Sequence, residues 1–308
     1  MEINMYRIAI LGCENSHADI FLNYVIKDKV IKDEVKEAYG DLVKEDLYSD
    51  VEVVGVYSDD AEAARKLNEQ YGVYAAKSYD EFVGKVDGVI ITARHGDNHL
   101  KYALPYLKSG IPMFIDKPIT VSEDDARELY QGLKDNRIRA CGGSVCKYPK
   151  LIKELGAAVR DETYGKVFGG MMRAPVSMNN EYGGFFFYSQ HLVQALCSVF
   201  GFYPKSVKAY VNGKIITCMV RYENYDVTIQ FTDGCFEYCA GVSCEKKVSF
   251  DSYTLDGCFE AEFDEFYQLL KGNPMPESYE DFVAPVFILN AIDRSIKSGR
   301  EEQVNTIN

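Results

Sequence analysis

Tryptophan is absent from the 308 residues, and histidine occurs only four times. Without tryptophan the chain has no indole emission, so a fluorescent ligand can be followed against a dark background. No apolar run reaches the roughly 20 residues needed to span a bilayer. The amino-terminal residues Met1 to Ile10 lead straight into strand-like sequence rather than a signal peptide. Basic runs are also missing: 34 Lys and Arg stand against 47 Asp and Glu, a net charge of −13. So acidic a surface repels phosphate backbones and anionic headgroups, which excludes nucleic acid and membrane as general partners. Nine cysteines, an odd number, come without a secretory signal, which points to reduced thiols in a cytoplasm. Cys235, Cys239 and Cys244 lie close together, but their spacing fits no zinc pattern and no histidine is near. Buried, inert thiols are expected there, and no metal site.

What is present is an ordinary globular composition, 47% hydrophobic and 26% charged, on a chain long enough for two domains. Residues 6–11, 51–57, 88–92 and 113–115 are short apolar runs that suit buried parallel strands. Helical patterns lie between them at 18–25, 61–71, 79–85 and 100–109, and Gly72, Gly88 and Gly110 mark stops or starts. The charged segment 27–50 reads as a helix and loop that extend the first crossover. Strands separated by helices predict a right-handed, doubly wound parallel sheet. Ser122 caps an expected helix over 122–136, with Asp125 three residues on, and 138–145 reads as a further strand. Past Gly165 the texture changes. Residues 167–174, 206–211, 214–222, 225–231, 235–243 and 247–253 read as strands, with Asn212-Gly213 and Asp233-Gly234 as hairpin turns. Helices over 263–271 and 282–298 close the chain. The fold class is therefore α/β: a Rossmann-type parallel sheet followed by a mainly antiparallel open sheet.

The densest local signal is Ile115-Asp116-Lys117-Pro118. Proline fixes its own φ and biases Lys117 towards an extended backbone. The lysine is then aimed from the carboxyl end of a parallel strand, where open α/β sheets place their ligands. This stretch resembles the Glu-Lys-Pro signature of the Gfo/Idh/MocA oxidoreductases, with Asp116 in place of the usual Glu. Residues 51–73 resemble that family's second strand and following helix, and 272–300 its closing helix. The resemblance implies a NAD(P)-binding Rossmann domain over 1–121 and a substrate and oligomerisation domain over 122–308. The helix 279–298 is then expected to pack back on the first domain.

A dinucleotide loop of the form G-x-G-x-x-G is expected after the first strand. Here it reads Gly12-Cys13-Glu14-Asn15-Ser16-His17. Only Gly12 is kept; Glu14 and His17 take the other glycine positions, and a carboxylate near a pyrophosphate repels it. Helix amides, with Asn15, Ser16 and His17, remain as donors. At the end of the second strand Ser58 takes the usual acidic position and Asp59 follows, a pattern that leans to NAD over NADP. Arg94, His95 and His99 replace the family's Thr-Pro-Asn-x-x-His at the edge of the third strand, with His99 the matching histidine. Asp116 is counted with these cofactor contacts.

For the reacting centre, 182–191 resembles the family's Gly-Gly…Asp-x-Gly-x-His segment. His191 matches, Phe187 stands where the aspartate would be, and Ser189 replaces a glycine. Lys117 and His191 are the candidate catalytic pair, with Lys147, Tyr188 and Gln190 as further substrate contacts. The implied chemistry is hydride transfer between a nicotinamide and a carbinol carbon of a sugar, inositol or related polyol, with His191 or Lys117 as general base. Two other readings compete: a binding or regulatory descendant without turnover, and a lyase or epimerase that uses tightly bound NAD without net redox. A homodimer or homotetramer is implied by the family.

Overall fold

The computed structural model describes residues 5–26 and 47–307. The expected helix and loop over 27–50 fall largely outside the described residues. The chain divides into two compact units. The first holds Met1–Asp116, Glu128–Gly142 and Asp256–Tyr279; the second holds Lys117–Arg127, Gly143–Leu255 and Glu280–Asn308.

The first unit is built on a six-stranded sheet. Its strands are β1 (Tyr6–Leu11), β2 (Val51–Tyr57), β3 (Tyr74–Ala75), β4 (Gly88–Ile91), β5 (Met113–Asp116) and β6 (Ala140–Gly143). They lie in the order β3-β2-β1-β4-β5-β6, and the pairings of β1 with β2 and β4, of β2 with β3 and of β4 with β5 are parallel. That is the doubly wound order of dinucleotide-binding sheets, with the reversal between β1 and β4. β4 and β5 are buried along their whole length, as expected of strands covered on both faces. Helix α1 (Ser16–Val25) follows β1, α2 (Ala61–Tyr71) follows β2 and α3 (Asp97–Ala103) follows β4. α1 begins two residues before the predicted start because Asn15 caps it, its side chain accepting from the His17 amide. The expected helix over 79–85 is instead a run of turns, and Gly84 there has φ of 73°, a left-handed backbone that a helix cannot continue through. Helix α4 (Glu123–Asp135) starts as predicted, with the Asp125 amide donating to Ser122 Oγ at 3.0 Å.

A late segment completes this unit. Phe263 and Phe266 of helix α7 (Cys258–Leu270) pack into the aromatic cluster of Phe21, Tyr24, Tyr48 and Phe114. Each ring removes a large apolar area from water, and the edge-to-face contacts add about 1 kcal/mol apiece.

The second unit carries a seven-stranded sheet in the order β12-β11-β7-β10-β9-β8-β13. These are β7 (Val167–Val176), β8 (Ser206–Asn212), β9 (Ile215–Arg221), β10 (Asp226–Asp233), β11 (Tyr238–Cys244), β12 (Val248–Tyr253) and β13 (Glu301–Gln303). Asn212-Gly213 makes the predicted β8–β9 hairpin. Asp233-Gly234 does not make a hairpin: β10 and β11 are separated by β7, which runs parallel to β10 and antiparallel to β11. The link 234–237 must therefore pass over the end of β7. Helix α5 (Lys150–Arg160), which lies outside the predicted elements, and the largely buried helix α6 (Phe185–Phe200) belong to this unit. Helix α8 (Tyr279–Ser298) precedes β13. No helix among the described residues is long and apolar enough to cross a membrane.

Candidate active site

In the first unit, the carboxyl ends of β1, β2, β4 and β5 share one edge because the strands are parallel. The β1 loop is laced to its neighbours there. The Gly12 amide donates to the Tyr57 carbonyl at 2.7 Å, and the Gly12 carbonyl accepts from Thr92 Oγ1 at 3.1 Å. Gly12 has φ of 79°, and a Cβ there would lie 2.3 Å from the Ala93 nitrogen. Both the turn and the approach of the two loops demand glycine.

Glu14 spans the ends of β2 and β4. Its Oε2 accepts from Ser58 Oγ at 2.6 Å and its Oε1 from the Arg94 amide at 3.1 Å. Ser58 Oγ in turn accepts from the Asp60 amide at 3.0 Å. Asp59 belongs to a neighbouring network, accepting from the Tyr57 hydroxyl at 2.6 Å and from Lys101 Nζ at 3.0 Å. Burial pushes its carboxyl up, but bonds from Tyr57, Lys101 and Tyr102 prevail and hold it below its usual value. The Lys101 ammonium also lies 5.4 and 5.3 Å from the Tyr79 and Tyr102 ring centroids.

A second cluster in this unit forms around Asp116. Its Oδ2 lies 2.9 Å from His17 Nδ1 and 3.1 Å from Asn15 Nδ2. His17 packs edge-on to Phe259, centroids 5.0 Å apart, so the third glycine position is filled by a buried ring tied to β5. Ser16 Oγ lies 3.4 Å from Asn15 Oδ1. His99 is buried with Nε2 2.8 Å from the Ala93 carbonyl; a carbonyl only accepts, so Nε2 carries the proton, and the ring props the loop that meets Gly12. His95 pairs locally, Nδ1 3.5 Å from Asp97 Oδ2.

The second unit opens with Lys117, the residue after Asp116, whose peptide bond to Pro118 is cis. The lysine is buried, and its Nζ lies 4.5 Å from the Phe187 ring centroid and 5.9 Å from that of Tyr188. The aromatic face thus meets the ammonium at the position where the family pattern has aspartate. One turn further along α6, His191 stacks edge-on to Tyr188 at 4.5 Å. Its Nδ1 is 2.6 Å from Ser144 Oγ, which also accepts from the Cys146 amide at 3.1 Å. Gln190 turns away to hold the backbone: its Oε1 accepts from the Ile119 amide at 2.9 Å, just beyond Lys117-Pro118. Lys147 ends the short turn that Ser144 caps, with Nζ 5.2 Å over the Tyr148 ring.

Sequence reasoning passed over Ser144, which lies 47 positions from His191, and the Tyr57, Lys101 and Tyr102 partners of Asp59. For Ser144 the one available signal was its position as a polar residue opening a turn before Lys147.

Residues 7–141 match the oxidoreductase family described by its NAD-binding Rossmann fold, Gfo/Idh/MocA. Through this segment the chain is similar to the Gfo/Idh/MocA oxidoreductases. Among solved structures it resembles myo-inositol 2-dehydrogenase from Lactobacillus plantarum at 12% identity and TM-score 0.80, covering 98% of this chain and 100% of that one. The apo scyllo-inositol dehydrogenase from Lactobacillus casei gives 13% identity, TM-score 0.80 and 99% coverage of both chains. GenD2 from gentamicin A biosynthesis, solved in complex with NAD, gives 13% identity and TM-score 0.78, covering 98% of this chain and 97% of that one. At such identities the likeness is one of fold. No curated protein matches the sequence.

Proposed function

We propose that this chain is an NAD(P)-dependent oxidoreductase moving hydride between a nicotinamide and a carbinol carbon of a sugar, inositol or related polyol. The observation that carries the reading is the second-unit cluster: a buried lysine directly after β5, and a histidine whose Nδ1 is engaged by Ser144. The dinucleotide fits the first unit in two respects. Gly12 permits the tight β1 turn, and the ends of β2 and β4 offer Glu14 as an acceptor for sugar hydroxyls. Gly12, Asn15, Ser16, His17, Ser58, Asp59 and the Arg94–His99 loop belong to that site in this reading, as does Asp116 through its bonds to Asn15 and His17. A bound nicotinamide would supply the hydride acceptor or donor.

The protein's own residues handle the proton and the oxygen. Oriented at Nδ1 by Ser144, the His191 imidazole would exchange a proton with a substrate hydroxyl. Lys117 Nζ offers a cation to a developing alkoxide, or acts as the base itself. Phe187 gives the lysine a π face and an apolar wall instead of a carboxylate, which suits a substrate that presents less hydroxyl density on that side. Tyr188 and Lys147 are further contacts for hydroxyl or acidic groups. The reading also carries a cytoplasmic homodimer or homotetramer, for which the exposed Tyr210, Met219, Met171 and Phe250 on the second sheet offer apolar surface.

The test is a fluorescence titration of the purified protein with NADH and NADPH, with no tryptophan emission to interfere. Saturable binding, followed by absorbance change at the nicotinamide with a polyol or sugar, is the expected result. No binding of either up to millimolar concentration overturns the proposal in favour of a binding descendant. Binding with turnover but no net absorbance change favours the lyase or epimerase chemistry.

A further inference from the structure

We infer that Glu14 has taken over the work of the acidic residue at the end of β2, receiving the adenosine ribose hydroxyls and turning away a 2′-phosphate, so that the site selects NAD(H). This rests on the dinucleotide reading above. At the end of β2 the sequence has Ser58, and the bonds around it are fully specified. Its oxygen accepts from the Asp60 amide and its single proton goes to Glu14 Oε2 at 2.6 Å. A hydroxyl has one proton to give, so Ser58 serves as a bracket for Glu14. The Arg94 amide holds the other carboxylate oxygen at 3.1 Å. A carboxylate has about four acceptor directions; these two bonds orient Glu14 and leave it able to accept from a vicinal diol.

The same arrangement disfavours a phosphate. Glu14, Asp59 and Asp60 cluster at this edge, and the nearby cation, Lys101, is held by Asp59 at 3.0 Å. A dianionic 2′-phosphate would meet carboxylates across a few ångströms with its most accessible cation already paired. The substitution at the second glycine position and the loss of the acidic residue at position 58 are thus two halves of one exchange, made across 44 residues of sequence.

The test measures dissociation constants of NADH and NADPH by nicotinamide fluorescence for the native chain, Glu14→Gln, and the double variant Glu14→Gly with Ser58→Asp. The native chain is expected to bind NADH at least tenfold more tightly than NADPH. Glu14→Gln keeps the size and the Ser58 contact but removes the charge; it should weaken NADH about tenfold, the scale of a lost charged hydrogen bond, and reduce the preference to near parity. The double variant returns the carboxylate to the end of β2 and should recover the NADH preference. Two results overturn the inference while leaving the dinucleotide reading intact: equal binding of both nucleotides by the native chain, as an Arg94 guanidinium on the 2′-phosphate would give, or a Glu14→Gln variant that binds both more tightly in the same ratio. Failure of the native chain to bind either nucleotide, with the fold intact by circular dichroism, overturns the underlying reading instead.

Discussion

The two clusters solve opposite problems with polar groups. In the first unit, Glu14, Ser58, Asp60, Asp59, Tyr57 and Lys101 form chains of short bonds in which each carboxylate is held by hydroxyls, amides or an ammonium. The result is a negatively charged rim whose geometry is fixed by backbone at the ends of three strands. In the second unit, Lys117, Tyr188 and His191 are set among rings, with the Ser144 hydroxyl against the histidine. A rim of held acceptors suits recognition of a hydroxylated ligand that must be released. A cation and an imidazole beside apolar walls suit proton movement, because charge interactions strengthen as water is excluded. If that division is right, damage to the second cluster should fall on the rate constant and damage to the first on nucleotide affinity and folding.

The largest effect is expected from Lys117→Ala. The variant should lose about two to four orders of magnitude in kcat on a confirmed substrate, while its circular dichroism and NADH affinity stay near native. A kcat within threefold of native would break the comparison, since Lys117 would then be a structural residue. Next in size is Gly12→Ala in the first unit. The new Cβ would meet Ala93 backbone at 2.3 Å with φ in the left-handed region, so a destabilisation of about 3 kcal/mol is expected, together with loss of NADH binding. Denaturant midpoints and the fluorescence titration read both. A stable variant with native affinity would show that the β1 turn can open, and that the rim is not fixed by it.

How much of this could be seen in the sequence depends on range. β1, β2, β4 and β5 were legible because a strand buried on both faces is simply a short apolar run, and Lys117 was legible because its neighbours in sequence carry the signature. β3 and β13 were not, being two and three residues long, too short to show a period. The segment 79–85 reads as helix but is a run of turns, where Gly84 takes a left-handed backbone. The helix Lys150–Arg160 carries a helical apolar spacing at Ile152, Leu155 and Ala158 that went unused. The Asp233-Gly234 pair looked like a hairpin, and nothing local says that β7 inserts between the strands it joins. Both clusters depend on pairs brought together by the sheets: Glu14 with Ser58 and Arg94, His191 with Ser144. No local pattern encodes such pairs, so residues such as Glu14 could be named while their partners could not.

Ser144→Ala is expected to have a middling effect and tests the second cluster through a residue that acts only by positioning. Removing Oγ takes away the contact at His191 Nδ1 and strips the Cys146 amide of an acceptor. About a tenfold fall in kcat is expected, with KM little changed, a displaced pH–rate profile, and about 1 kcal/mol of lost stability. Ser144→Thr keeps the hydroxyl and should recover most of the rate. An unchanged pH–rate profile in the alanine variant would detach Ser144 from the chemistry and leave it as a turn cap.

The smallest effect belongs to Asp59→Asn, on the exposed part of the first rim. Asp59 is held below its ordinary value by Tyr57, Lys101 and Tyr102 against the upward push of burial. A carboxyl shifted down binds its proton less readily in the folded chain than in the unfolded one. Its stabilisation is therefore in full force above the ordinary value of 3.8 and is lost as pH falls through the lower folded value. The side chain is 46% exposed and Lys101 is 44% exposed, so water and salt screen the pair and the whole contribution is expected to be about 0.5 kcal/mol. Urea midpoints of the native chain and the Asn variant should differ by that small amount from neutral pH down to about pH 5, and converge below the ordinary carboxylate value. The gap should also shrink in high salt. A difference several times larger, insensitive to salt, would mean that Asp59 sits in a water-excluded network like that of the second cluster, and the contrast between the two regions would then be one of composition alone.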